Sequence, residues 1–79
     1  MATRAYLLLE TAVGRTREVA TQLRGVEGIK AVDVVTGPYD IITLMEAEDI
    51  NSIGDIVTSK VHIIPGVVRS VTCVAVGSP

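Results

Sequence analysis

Thr36-Gly37-Pro38-Tyr39-Asp40 divides two apolar, β-rich stretches, Ile29–Val35 and Ile41–Ala47. Glycine reaches positive φ at little steric cost and proline fixes its own φ, so this pair predicts a tight reversal. The two stretches then become the arms of a β-hairpin. The bend also carries an amide-rich backbone, a hydroxyl, a phenol and a carboxylate to one edge of a sheet. Conventional catalytic chemistry is sparse in this chain, and that cluster is its best candidate for a ligand site.

Working outward, Arg4–Glu10 reads as a strand with Ala5, Leu7 and Leu9 on one face and Tyr6 and Leu8 on the other. Both faces are apolar, as in a central strand covered on two sides. Gly14 breaks the pattern. Arg15–Arg24 has helical spacing, with Val19, Ala20 and Leu23 as the inner stripe and Gly25 and Gly28 bracketing its exit. Beyond the hairpin, Asp49 is a good N-cap for a second helix over Ile50–Lys60, with Ile50, Ile53, Ile56, Val57 and Val61 as its apolar positions. Pro65-Gly66 ends the next loop, Val67–Val76 is a final strand, and Gly77-Ser78-Pro79 is a tail.

The order is β-α-β-β-α-β. Leu23-Arg24-Gly25-Val26-Glu27-Gly28-Ile29 is echoed weakly by Val61-His62-Ile63-Ile64-Pro65-Gly66-Val67, 38 residues on. Two such halves build a ferredoxin-like α+β sandwich. Right-handed crossovers put both helices on one side of an antiparallel sheet with strand order 4-1-3-2. One sheet face is then left without helices. In the last strand Val68, Val74 and Val76 share a face with Ser70 and Thr72, and Val67, Val71, Cys73 and Ala75 share the other. Neither face is convincingly polar. A second subunit packed on the helix-free face, closing a dimeric α/β-barrel, is the simplest way to cover it.

Composition agrees. Seventy-nine residues make a single domain, residues 1–79, and a lone domain of this size is marginally stable. Yet 48% of the residues are hydrophobic and mean hydropathy is +0.47. Association buries the excess. The net charge of −2 gives no electrostatic footprint for nucleic acid. Arg15, Arg17 and Arg24 read as a solvated helix face beside Glu18. With no Phe or Trp, and Tyr6 and Tyr39 alone, there is no base-stacking platform. The single Cys73 cannot form an internal disulfide and reads as a buried thiol in a reducing cytoplasm. No signal peptide and no apolar run of transmembrane length is present, so no membrane partner is expected.

The bend and the strands around it carry a resemblance. Thr36-Gly37-Pro38-Tyr39-Asp40-Ile41-Ile42 is similar to the G-x-Y-D turn and following apolar strand of the effector-binding RAM domain of the Lrp/AsnC regulators. Pro65-Gly66-Val67-Val68-Arg69-Ser70-Val71-Thr72 resembles that domain's Gly-Val segment leading to a Thr on the last strand. The likeness runs from about residue 4 to residue 76. It implies dimers joined through sheet faces, higher assembly of those dimers, and amino-acid binding at the seam between them. Full-length members carry a helix-turn-helix domain first. Here the first strand begins almost at Met1, so a stand-alone RAM domain is expected and DNA binding is not carried over.

Each candidate residue has a structural reading beside its functional one. In the bend, the N–H groups of Gly37, Tyr39 and Asp40 can hold an α-carboxylate, while Pro38 supplies none. The Asp40 carboxylate can accept from an α-ammonium. Equally, Asp40 can serve only to satisfy turn amides. Tyr39 can cover a ligand or fill a subunit contact. Thr36, Ser70 and Thr72 can complete a ligand's hydrogen bonds from a neighbouring strand or subunit, or be ordinary strand residues. His62 lacks companions at metal-ligand spacing and reads as a helix-end residue, and Met45 as core. No metal, cofactor or catalytic group is expected.

Three functions fit. The leading one is a non-catalytic amino-acid-binding oligomeric module that pairs with full-length Lrp/AsnC regulators and modulates transcription. A cofactor-free dimeric α/β-barrel enzyme, a monooxygenase or isomerase, would need a titratable cluster among inner positions that are mostly aliphatic. A ligand-free assembly module needs neither. ACT domains share the topology but use a glycine after the first strand, where Gly14 is weak support. A metal chaperone is excluded by the lack of C-x-x-C in the first loop.

Overall fold

Along β1 (Thr3–Thr11), Ala5, Leu7 and Leu9 are fully buried while Tyr6 is 41% exposed. That alternation sets the architecture, described from a computed structural model over residues 2–77. A four-stranded antiparallel sheet has the order β2-β3-β1-β4, as the sequence predicts. The other strands are β2 (Ile29–Val34), β3 (Ile41–Ala47) and β4 (Val67–Val74). The helices α1 (Thr16–Arg24) and α2 (Ile50–Ile56) supply Val19, Ala20, Leu23 and Ile53 to a core shared with Ala5, Leu7, Leu9, Ile41 and Met45.

Residues directly opposite on an antiparallel ladder share a face. Leu7 faces Thr43 and Thr72, and Leu9 faces Ile41 and Ser70, so this row lies on the core side. Tyr6 faces Leu44 and Cys73, and Leu8 faces Ile42 and Val71, on the other side. The last strand is therefore sorted by its partner. Ser70 and Thr72 belong to the helix side, and Val71 and Cys73 to the open side.

The elements depart from expectation in three places. The hairpin is looser than a tight reversal: Val35 N–H donates to the Asp40 carbonyl at 2.9 Å, closing a loop over residues 35–40. Pro38 has no N–H to give, and the Asp40 amide is drawn across to the Leu9 carbonyl of β1 at 2.8 Å. Gly37, at φ +150, lies where a side chain is strained.

The second helix does not stay α-helical to Lys60. From Val57 to Val61 it widens to a π-helical turn, closed by His62 N–H to the Val57 carbonyl at 2.9 Å. The Thr58 and Ser59 hydroxyls donate back to the carbonyls of Gly54 and Asp55, competing with the main chain for them. Val57 and Val61 remain buried, but Ile50 is 61% exposed rather than part of the inner stripe. Finally, β4 stops at Val74, and Val76, expected within it, is 92% exposed. Of the expected tail, Ser78 and Pro79 lie outside the described residues.

Candidate functional site

The bend sits where β2 passes into β3, at the end of the sheet where β1 finishes. Asp40 is fixed there by two elements. Its Oδ2 accepts the Thr11 N–H at 2.8 Å and the Thr11 hydroxyl at 3.3 Å. The Thr11 hydroxyl lies 2.7 Å from that of Thr16, the first residue of α1. The carboxylate thus ties the hairpin to β1 and, through Thr11, to the start of a helix. The Asp40 amide is committed to Leu9, so of the three donors expected in the bend only Gly37 and Tyr39 remain without a hydrogen bond among the described residues. Thr36, Gly37 and Pro38 are exposed, and Tyr39 and Asp40 half-buried. What the bend offers a ligand is therefore backbone and hydroxyl, held on a carboxylate strut.

Within one chain, Ser70 and Thr72 are not brought to this bend. Ser70 shares a row with Leu9 and Ile41, two strand spacings or about 10 Å from β3. Its hydroxyl is 2.7 Å from His62 Nε2. That contact fastens the end of the π-helical turn to β4, a role sequence reading missed because the residues lie in separate elements. Thr72, exposed on the same edge strand, is one row further from the bend. Both could join the bend only through a neighbouring subunit.

Two other features lie apart from the bend. On the open face, Tyr6, Leu8, Ile42, Leu44, Val71 and Cys73 form an apolar centre, and Cys73, expected to be buried, is exposed there because its strand is the sheet edge and no helix covers that face. Arg4, Glu10, Glu46 and Arg69 share that face at its rim, where Arg69 Nη1 approaches Glu10 Oε2 at 3.9 Å. At the opposite end of β3 from the bend lies an open groove of about 610 Å³. It is lined by the α1–β2 loop, the end of β3, Ile56 and Lys60. The sequence showed this loop only as a helix exit. Among the described residues no group of three or more His, Cys, Asp or Glu could hold a metal ion, and no helix is long and apolar enough to cross a membrane.

With this geometry in place, the chain can be set beside known proteins. The family model for the Lrp/AsnC ligand binding domain matches residues 4–79. The chain belongs to that family. The family is one of regulator ligand-binding domains, not of enzymes. An uncharacterized HTH-type transcriptional regulator of Pyrococcus furiosus is 36% identical over 59 residues, which are 75% of this chain and 39% of that protein. The chain thus matches well under half the length of this curated relative. A hypothetical protein of Pyrococcus horikoshii superimposes with a TM-score of 0.88 at 29% identity, covering 99% of this chain and 93% of that one. A transcriptional regulator of Neisseria meningitidis, solved as its complex with L-Met, gives a TM-score of 0.85 at 17% identity over 95% of this chain and 50% of its own. At that identity the likeness is one of fold.

Proposed function

We propose that this Lrp/AsnC ligand-binding domain binds a free amino acid at the Thr36–Asp40 bend and does so as an oligomer. The observation that carries the reading is the anchored bend. Asp40 is held by Thr11, and the Gly37 and Tyr39 N–H groups of the anchored loop have no hydrogen bond among the described residues. Two such donors suit an α-carboxylate. The exposed Thr36 and the half-buried Tyr39 belong to the same bend and offer a hydroxyl and an apolar ring to the ligand. Pro38 limits the loop's freedom before binding.

One chain leaves the bend open on its outer side, so a second subunit must complete it. The helix-free face supports the first step of assembly, an apolar centre of Tyr6, Leu8, Ile42, Leu44 and Val71 within a charged rim, the anatomy of a protein interface. Joining two such faces gives a dimer whose bends point outward to meet neighbouring dimers. Ser70 and Thr72 would then reach a ligand across that seam. An amino acid lodged there shifts assembly by mass action, and through it any longer regulator that shares the dimer face.

Calorimetry of the chain against the twenty amino acids tests this, with sizing in the presence and absence of whichever binds. Saturable binding that tightens the assembly and is weakened by Asp40→Ala is expected. If none binds and Asp40→Ala alters neither size nor stability, the reading is wrong.

A further inference from the structure

The groove at the far end of β3 has no part in the reading above. Six residue steps separate Ile41 from Ala47, or about 20 Å of strand, so the groove and the bend are distinct places. Its volume of about 610 Å³ lies in the range of small-molecule sites. Val26, Ala47 and Ile56 give it apolar surface, and Lys60 reaches it from the π-helical turn. Lys60, Glu27 and Glu46, all at the groove, are in no ion pair among the described residues.

The loop along its edge is held in place. Glu46 N–H donates to the Gly28 carbonyl at 2.8 Å, and Ile29 N–H to the Val26 carbonyl at 3.2 Å. Gly28 adopts φ +97, and a Cβ there would stand 3.0 Å from the Glu46 carbonyl oxygen and 3.2 Å from Ile56 Cδ1. The loop therefore lies close against β3 and α2. The N–H groups of Glu27 and Gly28 make no hydrogen bond among the described residues. The residues lining this one cavity thus bring two amides without hydrogen bonds, an ammonium, the carboxylates of Glu27 and Glu46, and an aliphatic surface.

We propose that this groove is a second ligand site, for a small carboxylate bearing an aliphatic chain. The carboxylate is held by Lys60 with the Glu27 and Gly28 amides, and the chain lies against Val26, Ala47 and Ile56. The ligand can be an α-amino acid, whose ammonium meets the Glu27 carboxylate, or a simple carboxylic acid, and both share the same recognition.

Amide NMR titration with L-leucine, isovalerate and isoamylamine tests the proposal in the wild-type chain and in Lys60→Met, Glu27→Gln and Asp40→Asn. At least one of the two carboxylates should shift the Gly25 and Gly28 resonances saturably, and isoamylamine should not. Lys60→Met, at an exposed position, should weaken binding at least about tenfold. Asp40→Asn should leave these shifts saturable and still dependent on Lys60, which separates this site from the bend. Leucine binding weakened by Glu27→Gln assigns the amino acid, and isovalerate binding indifferent to Glu27→Gln assigns the simple acid. No saturable shift with either carboxylate, an equal response to isoamylamine, or full affinity in Lys60→Met would overturn the proposal.

Discussion

Thr43 is wholly buried in the middle of β3, and its Oγ1 has no hydrogen-bond partner. Its ladder partners on the core side are Leu7 and Val32, so the hydroxyl is set among aliphatic side chains. An unsatisfied buried hydroxyl costs about 1–3 kcal/mol. Thr43→Val keeps the branched shape that suits a strand and replaces that hydroxyl by a methyl. The variant should gain about 1–2 kcal/mol, a rise of roughly 5–15 °C in Tm for a domain of this size. Thr43→Ser keeps the hydroxyl and loses the methyl, and should fall by about 1 kcal/mol. Thermal unfolding followed by circular dichroism reads both, at one protein concentration because association raises Tm by mass action. A Tm that drops or stays put in Thr43→Val would show that the hydroxyl has a partner, a buried water being the obvious one, and the argument from desolvation would fail.

Gly28→Ala should lose about 2–3 kcal/mol in a denaturant titration, since it adds strain at positive φ to a tight contact with the main chain of Glu46. Gly54→Ala, in α2 with open space around its Cβ and an ordinary φ, should gain about 0.5–1 kcal/mol in the same assay. Asp49 accepts the Ser52 N–H at 2.8 Å, and that bond holds its carboxyl below the ordinary 3.8. A depressed folded pKa means the cap stabilises while ionised, fully above the unfolded value, and is lost as pH falls from about 4 through the lower folded one. Asp49→Asn caps without titrating, so the wild-type and variant unfolding curves should differ in acid slope over that window and run parallel near neutrality. Leu8→Lys, on the helix-free face, should reduce the sedimenting species to a monomer, and an unchanged mass would exclude that face as the interface.

Much of the fold was legible because hydrophobic period carries it. The β1 sequence alternates two apolar sets, and the structure buries the one with Ala5, Leu7 and Leu9 under the helices and leaves Tyr6 and Leu8 outside. Sequence alone could not sort β4, where both sets hold valines and the ladder to β1 decides the face. The π-helical turn was hidden for a related reason. Val57 and Val61 keep helical spacing whether the backbone closes at four residues or five, and the Thr58 and Ser59 hydroxyls tip it. At the bend, residue types announced a carboxylate and an amide-rich loop, but not that Asp40 would turn inward to Thr11, a residue 29 positions away. Pairings between separate elements, like this one and that of His62 with Ser70, leave no mark in a local pattern. The groove was invisible for the same cause, because its walls come from the α1–β2 loop, β3 and α2.

The β2–β3 hairpin links these places. At one end Asp40 fastens it to β1 through Thr11 and Leu9, and at the other Glu46 fastens it to the loop before β2 through Gly28. Between them β3 shows Thr43 to the core and Ile42 and Leu44 to the open face. A subunit docked on that face therefore presses on the strand whose ends carry the bend and the groove. Packed elements respond as units rather than by continuous deformation. Any difference in β3 position between free and associated chains would be felt at both ends at once. The helix-free face is the expensive feature here, because water must cover large aliphatic side chains wherever a partner does not. Association on that face, as proposed above, would remove that cost and fix β3 in the same step, and it would link assembly to ligand affinity through a single strand rather than through separate devices.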